Sequence, residues 1–454
     1  MSFDQVTSSN KSVKIGTAAI IVSLFLAAVD GTIVSTVLPY ISNELGDPAL
    51  YPWIMTAFLL PVALIAPLAG AISDRLGTST TLKGFLLLFL LASVFAAISS
   101  SMFELIAARA LQGIGAGGII VLSYSLLAVL FNAEKRGKMQ GILSGVWGLA
   151  AIVGPLLGSV LNNIFTWRSI FWFNIPISIL ALILLFITPT VKKDYDTEKI
   201  DWTTQALLVG FTCSLLLISQ LESIKDILPQ LLIILAVTSI LLFIRIRKLP
   251  QKSPIPLLFF QKKMLFSVMC LILLSSAALY ASVTLLPLAL HQQKSSDLSS
   301  GLLIMLAALG WVVGSAICGN KLVSTGYRRM SINGMVMLAC GSFLMVMAIS
   351  YNIFALIAVA LLLTGLGMGF VATSTLVLVQ NSAPTEKIGK WTATVQFLRN
   401  LGASLGINTL ATIQLYLKGI YSFQACFTIL GLCMIIGLFF SLSLPSVYKN
   451  SLLN

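Results

Sequence analysis

Apolar runs of about twenty residues recur along the chain, each closed by a short polar segment. A run of that length is what a helix needs to cross a hydrocarbon layer about 30 Å thick. Fourteen spans are predicted, near residues 14–40, 50–73, 80–99, 103–130, 138–163, 168–189, 203–223, 226–246, 264–290, 299–322, 331–350, 353–379, 389–415 and 420–444. The expected fold class is an all-α polytopic membrane protein with fourteen transmembrane helices.

The pattern also repeats. Glu134-Lys135-Arg136-Gly137-Lys138 before span 5 returns as Glu386-Lys387-Ile388-Gly389-Lys390 before span 13, a shift of 252 residues. The same shift carries Gly154 onto Gly406, and Gly113, Gly115 and Gly117 onto Gly365, Gly367 and Gly369. A shift of 249 carries Gly70 and Gly77 onto Gly319 and Gly326. Two pseudo-symmetric, parallel six-helix bundles at 1–190 and 263–454, with spans 7 and 8 and their linkers at 191–262 as a two-helix insert, account for all of these. The linkers at 190–202 and 247–263, the second with Pro250, Pro254 and Pro256, read as semi-rigid tethers. Duplication of this kind marks secondary transporters, whose substrate site lies near the midplane between the halves and opens alternately to each side.

Composition agrees. Of 454 residues, 58% are hydrophobic and 9% charged, with mean hydropathy +0.99, whereas a soluble domain carries about 25% charged residues. The net charge of +13 is not a nucleic-acid footprint, because the basic residues lie in short segments between apolar runs. Of the 28 Lys and Arg, 22 fall in one alternate set of loops and termini, and four (Arg168, Lys225, Lys294 and Lys418) fall in the other. The positive-inside rule then puts both termini in the cytoplasm of a cell-membrane protein and requires an even number of spans. Span 1 is too long for a signal-peptide core and is expected to be retained as an anchor. The six cysteines lie in apolar spans without CxxC spacing, and His291 is the single histidine, read as a loop residue. That argues against disulfides, structural zinc and a Cys/His nucleophile, and no cofactor or metal is expected.

Against this background Asp30 stands out. It sits about 15 Å into span 1, near the middle of the hydrocarbon layer, where an ionised carboxylate costs at least about 2.5 kcal/mol. It reads either as a site that alternately holds a proton or a cationic substrate, or as a structural acid bonded to a neighbouring helix. Arg109, about 9 Å into span 4, is a candidate partner, with snorkelling to the interface as the alternative. Arg399, about 15 Å into span 13, has no acid to match it in the second half, where only Asp297 and Glu386 occur, both in predicted loops. It faces Asp30, binds backbone carbonyls, or holds an anionic part of a substrate. Glu222, beside Lys225 and Asp226, reads as a solvated rim residue, with a second proton site as the alternative. Trp53, Phe58, Trp147 and Tyr280 are candidates for an aromatic cavity suited to lipophilic cations, or simply for packing.

Several runs resemble the 14-helix drug:proton antiporter family of the major facilitator superfamily (multidrug efflux). Asp30, Thr32, Ile33, Val34, Leu38 and Pro39 match its signature in helix 1. Gly70-Ala71-Ile72-Ser73-Asp74-Arg75-Leu76-Gly77 is similar to the superfamily's loop between helices 2 and 3, although Thr78 and Ser79 stand where a basic pair is usual and Lys83 is the next cation. Arg109-Ala110-Leu111-Gln112-Gly113-Ile114-Gly115 matches the element of helix 4. Gly141, Ala150, Gly154, Pro155, Gly158 and Ser159 resemble the exporters' motif in helix 5, with Ala150 and Ser159 replacing glycines. Trp167-Arg168 through Asn174-Ile175-Pro176 resembles the opening of helix 6, and Phe397-Leu398-Arg399-Asn400-Leu401-Gly402 an element of helix 13. The resemblance implies coupling at Asp30, Arg109 and Arg399, a cavity that includes Thr32 and Gln112, and a cytoplasmic gate at Gly70, Asp74, Arg75 and Gly77. It also implies that Gly154, Pro155 and Gly158 set the packing that opens and closes the halves.

The function expected is a proton-coupled secondary antiporter that exports lipophilic cationic drugs or toxic compounds by alternating access. Its partners are small lipophilic substrates, protons and the lipid bilayer, with no nucleic acid, and the chain is expected to act as a monomer. The alternative is an exporter of an endogenous anionic or zwitterionic metabolite or lipid on the same fold. Neither a nucleotide-binding GxxxxGK[ST] element nor a paired-carboxylate or nucleophile–base set occurs, so an ATP-driven pump and a membrane enzyme find no support.

Overall fold

The computed structural model describes residues 10–46, 50–188, 200–218, 228–292, 297–417 and 420–446. Lys225, Asp226, Lys294, Lys418 and the candidate Glu222 lie outside the described residues. The described residues form helices joined by turns, with no strand. In lipid, each backbone polar group must be bonded within its own segment, and an apolar helix does that.

The helices are α1 Asn10–Leu45, α2 Tyr51–Leu64, α3 Ala66–Leu76, α4 Thr78–Ala97, α5 Met102–Leu130, α6 Ala133–Ile164, α7 Ser169–Ile187 and α8 Trp202–Ile218. They continue with α9 Leu228–Lys248, the short α10 Leu258–Gln261, α11 Lys263–Gln292, α12 Asp297–Thr325, α13 Tyr327–Tyr351, α14 Phe354–Ser382, α15 Ile388–Leu417 and α16 Ile420–Ser441. Eleven are long and apolar enough to cross a membrane, and twelve if the bent pair α2–α3 is one span. Two further windows hold helices outside that set. In α8 the described part is 17 residues. The 30-residue α15 carries Lys390, Gln396, Arg399, Asn400, Asn408 and Gln414 and falls short on apolarity.

The expected unbroken span at 50–73 is two helices bent by 47°. Pro67 is the cause: it sits in the first turn of α3 and has no N–H to bond the carbonyl four residues back. His291 belongs to the last turn of α11 rather than to a loop. Two helix junctions depend on glycine. Gly77 (φ 89°) between α3 and α4, and Gly326 (φ 83°) between α12 and α13, adopt a backbone that a side chain disfavours.

Packing divides the chain into two units, residues 1–132 with 146–198 and 383–393, and residues 133–145 with 199–382 and 394–454. In the first unit α5 is the central helix, packed on α1, α2 and α4, while α7 packs on α1 and α4. In the second, α14 takes the same role against α11, α12 and α13; α16 packs on α11 and α13, and α8 on α9.

Equivalent glycines do equivalent work in the two units. A Cβ on Gly113 would meet the Phe58 carbonyl oxygen of α2 at 2.3 Å, and one on its counterpart Gly365 would meet the Ala307 carbonyl oxygen of α12 at 2.0 Å. Gly154 of α6 lies against Thr32 of α1, and its counterpart Gly406 of α15 against Ala277 of α11. The residue shifts seen in the sequence are therefore repeats of helix packing. Small residues let backbones approach where lipid offers no hydrophobic drive to association.

Candidate proton and substrate site

Asp30 lies in a run of α1 that buries Val29, Ile33, Val34, Val37 and Ile41 in an apolar core with Trp167 and Phe171. The carboxylate itself is fully buried. Arg109 of α5, also fully buried, donates from Nη1 to Asp30 Oδ2 at 2.6 Å. Asn174 of α7 donates from Nδ2 to Oδ1 at 2.7 Å. Both oxygens are thus held, by two different helices, and the ion pair offsets a charge that the apolar core would not otherwise accept.

The network extends to a fourth helix. Arg109 Nη1 also donates to Gln112 Oε1 at 2.9 Å, and Gln112 Nε2 donates to Ser93 Oγ of α4 at 2.9 Å. The guanidinium stacks 4.1 Å from the centre of the Phe58 ring, a cation–π contact in a desolvated place. Arg109 Nε and Nη2 and Asn174 Oδ1 are buried without hydrogen-bond partners among the described residues. Both of the guanidinium's hydrogen bonds to Asp30 and Gln112 thus come from Nη1.

The small-residue face of α6 sets the position of α1. The Thr32 hydroxyl, two residues beyond Asp30, donates to the carbonyl oxygens of Val29 at 3.0 Å and Ala150 at 3.2 Å. Gly154 and Gly158 leave room for the Thr32 and Thr36 side chains, and α6 runs through Pro155 as one helix. Ala150, Gly154 and Gly158 thus form a strip, spaced by four, along which α1 and α6 touch.

Elsewhere in the first unit, Asp74 of α3 caps the start of α15. Its two oxygens accept from the backbone N–H groups of Gly389 and Lys390, each at 2.7 Å, where the helix end presents free donors and positive dipole. Gly70 makes that approach close: a Cβ there would meet Ala393 Cβ at 2.5 Å and the Gly389 carbonyl oxygen at 2.7 Å. Arg75 is exposed. In the second unit the repeat-related Gly319 and Gly137 touch in the same way, a Cβ on Gly319 lying 2.1 Å from the Gly137 carbonyl oxygen. Beside them Arg136 donates to the Gln380 carbonyl oxygen at 3.0 Å and to Asn381 Oδ1 at 2.7 Å.

Arg399 of α15, in the second unit, is 5% exposed and donates from Nη1 to Gln396 Oε1 at 3.2 Å. The four aromatic candidates go separate ways. Phe58 lies under Arg109, Trp147 donates from Nε1 to the Tyr124 hydroxyl at 3.0 Å, Tyr280 makes an edge contact with Trp311, and Trp53 is 52% exposed.

Asn174 and Ser93 are site residues with no role assigned from the sequence. Asn174 is the one amide side chain in the largely apolar span 6, and that is the signal it offers. A clasp at Glu44 was also missed. Glu44, in the last turn of α1, accepts from the Arg168 guanidinium and, at 2.7 Å, from Trp167 Nε1, while Arg168 Nη2 bonds the Ser99 carbonyl oxygen at 2.9 Å. The Arg168 bond holds the Glu44 carboxyl below its usual range, against the opposing effect of burial and with help from Trp167. Among the described residues no group of three or more His, Cys, Asp or Glu could hold a metal.

The family profile described as Major Facilitator Superfamily matches residues 20–407. The chain is 29% identical over 403 residues to the multidrug transporter protein MdtP of Bacillus subtilis, covering 87% of this chain and 74% of that one. It is 28% identical over 406 residues to the multidrug efflux pump SdrM of Staphylococcus aureus, covering 89% of each. Among solved structures, the proton:xylose symporter XylE superposes with a TM-score of 0.69 over 95% of both chains at 17% identity, a likeness of fold. The match is to transporters and not to enzymes, and it makes this a multi-pass membrane protein that handles small molecules.

Proposed function

The chain belongs to the Major Facilitator Superfamily, and from that premise we infer that it is a proton-coupled antiporter exporting lipophilic compounds, cations among them, by alternating access. The observation that carries this is Asp30, fully buried with both oxygens bonded, one to Arg109 and one to Asn174. A proton on Asp30 removes the charge that Arg109 pairs with. The buried guanidinium must then find another acceptor, and α1, α5 and α7, which meet at this carboxyl, repack together. A buried pair whose partner is neutralised is strongly unfavourable, so protonation biases one packing over another, which is what coupling requires.

Relatives named as multidrug transporters and efflux pumps support drug efflux as the task. Helices in all fourteen predicted windows support fourteen spans, with the same equivalences supporting bundles at 1–190 and 263–454 around an insert at 191–262. The helices of that insert are clasped: Arg245 of α9 bonds both oxygens of Asp201, which precedes α8. Asp74, Gly70 and the start of α15 act as the cytoplasmic gate, and the monomer with both termini in the cytoplasm remains the working arrangement.

In everted membrane vesicles, Asp30→Asn is expected to reduce efflux driven by a pH gradient about 100-fold or more, the usual scale for loss of a required proton-transfer group. Substrate exchange at equal concentrations, which needs no net proton movement, should persist and show that the variant is folded. Full pH-driven efflux by Asp30→Asn would sink the assignment.

One observation favours the second reading, an anionic or zwitterionic cargo. Asp30 is already neutralised by Arg109, so a cationic substrate must displace that arginine, whereas Arg399 has no acid beside it among the described residues.

A further inference from the structure

Three arginines of this chain can be compared through the same edge of their guanidinium. Arg245 offers Nε and Nη2 side by side, and the two oxygens of Asp201 fill them at 2.8 Å each. Arg109 also leaves this edge without a partner among the described residues, but its charge is paired by Asp30 through Nη1. Arg399 has neither the acid nor the filled edge: its Nε and Nη2, and the neighbouring Gln396 Nε2, are buried N–H donors without a partner among the described residues.

Nothing in the second half supplies the missing charge. From residue 263 to the end the sequence holds two acids, Asp297 at the start of α12 and Glu386. Glu386 precedes Arg399 by 13 residues, about 20 Å along a helix. Arg399, 5% exposed, has two guanidinium nitrogens, Nε and Nη2, with no acceptor among the described residues, and such a buried pair of unmet donors suits an acceptor brought in from outside. The helix that bears it is fixed: one turn on, Gly402 lies with its Cβ position 2.5 Å from the Leu273 carbonyl oxygen of α11.

We propose that the Nε/Nη2 edge of Arg399 is a subsite for a carboxylate group of the transported molecule. This rests on the exporter reading and names its substrate class: lipophilic compounds that carry one carboxylate, as monoanions or zwitterions. Two parallel N–H groups match the two oxygens of a carboxylate in the fork that Asp201 shows for Arg245. One carboxylate also neutralises one guanidinium, whereas a doubly charged phosphate would leave a buried negative charge in its place.

Rhodamine B, a zwitterion with a free carboxylate, and its ethyl ester, a cation with the same ring system, make the test. Binding of each dye to the purified full chain is read by fluorescence polarisation, for the parent, Arg399→Gln and Arg399→Lys. The parent should prefer the acid, and Arg399→Gln should weaken the acid about 10- to 100-fold while leaving the ester within about threefold, the scale of a lost charge-assisted bond. Arg399→Lys, which keeps the charge and loses the fork, should fall between. Equal weakening of both dyes would mean a structural role, and no preference for the acid in the parent would also overturn the proposal. If the parent exports the ester on a pH gradient but neither binds nor exports the acid, the subsite fails and the exporter reading stands. If neither dye is bound or exported, both fail.

Discussion

Arg109→Leu is expected to lower the stability of the purified protein by about 3–5 kcal/mol near neutral pH and to abolish export, because it strands the Asp30 carboxylate in an apolar core. The expectation follows from burial and geometry: both side chains are fully buried and 2.6 Å apart, and Asn174 alone remains to hold the acid. Gln112 also loses the donor at its Oε1. The pair can be separated from its surroundings by a double-mutant cycle. Asp30→Asn with Arg109→Gln leaves two neutral groups of similar shape, and the double variant should recover most of the stability that Arg109→Gln alone loses. Thermal unfolding in detergent reads this directly. Losses that simply add would show that the two side chains do not act as a pair.

The second large effect belongs to the contact between α1 and α6. A Cβ at residue 154 would lie 2.1 Å from Thr32 Oγ1 and 3.1 Å from Thr32 Cβ. Gly154→Ala therefore forces α1 away from α6 or turns the threonine out of its bond to the Ala150 carbonyl oxygen, at a cost of about 1–3 kcal/mol for overpacking. Because Thr32 follows Asp30 by two residues, that movement reaches the proposed coupling site, and export should fall about tenfold or more, the scale on which small misplacements of a site act. The oxygen is the obstacle, so Thr32→Ala in the Gly154→Ala background should restore a large part of the lost export. Unimpaired export by Gly154→Ala alone would show that this approach has no bearing on the cycle.

Much of this was legible in the chain, and the parts that were not share a cause. Span positions follow from apolar length alone, and Asp30 announces itself because an acid in hydrocarbon is expensive. The repeat was visible because the same backbone approach needs glycine in both halves, at Gly113 and Gly365 or Gly154 and Gly406. What one sequence does not show is which side of an apolar helix faces a neighbour. Asn174 is 144 residues from Asp30 and Ser93 is 19 from Gln112, separations that no helical periodicity connects. Asp74 was expected at a gate from its loop, but its acceptance of two N–H groups some 315 residues away depends on where α15 begins. The bend at Ile65 reflects Pro67 in a window that hydropathy reads as continuous. Arg399 was conspicuous for the absence of an acid, and only the structure shows which edge of it is empty.

A proton on Asp30 is expected to be exchanged for substrate, moving across the membrane in the opposite direction. Proton efflux from proteoliposomes containing the full chain, recorded with a pH-sensitive dye trapped inside as a lipophilic substrate is added outside, tests it most directly. The account predicts substrate-dependent proton movement in the parent and none in Asp30→Asn, with substrate exchange retained in both. Proton movement by Asp30→Asn at the rate of the parent would contradict it.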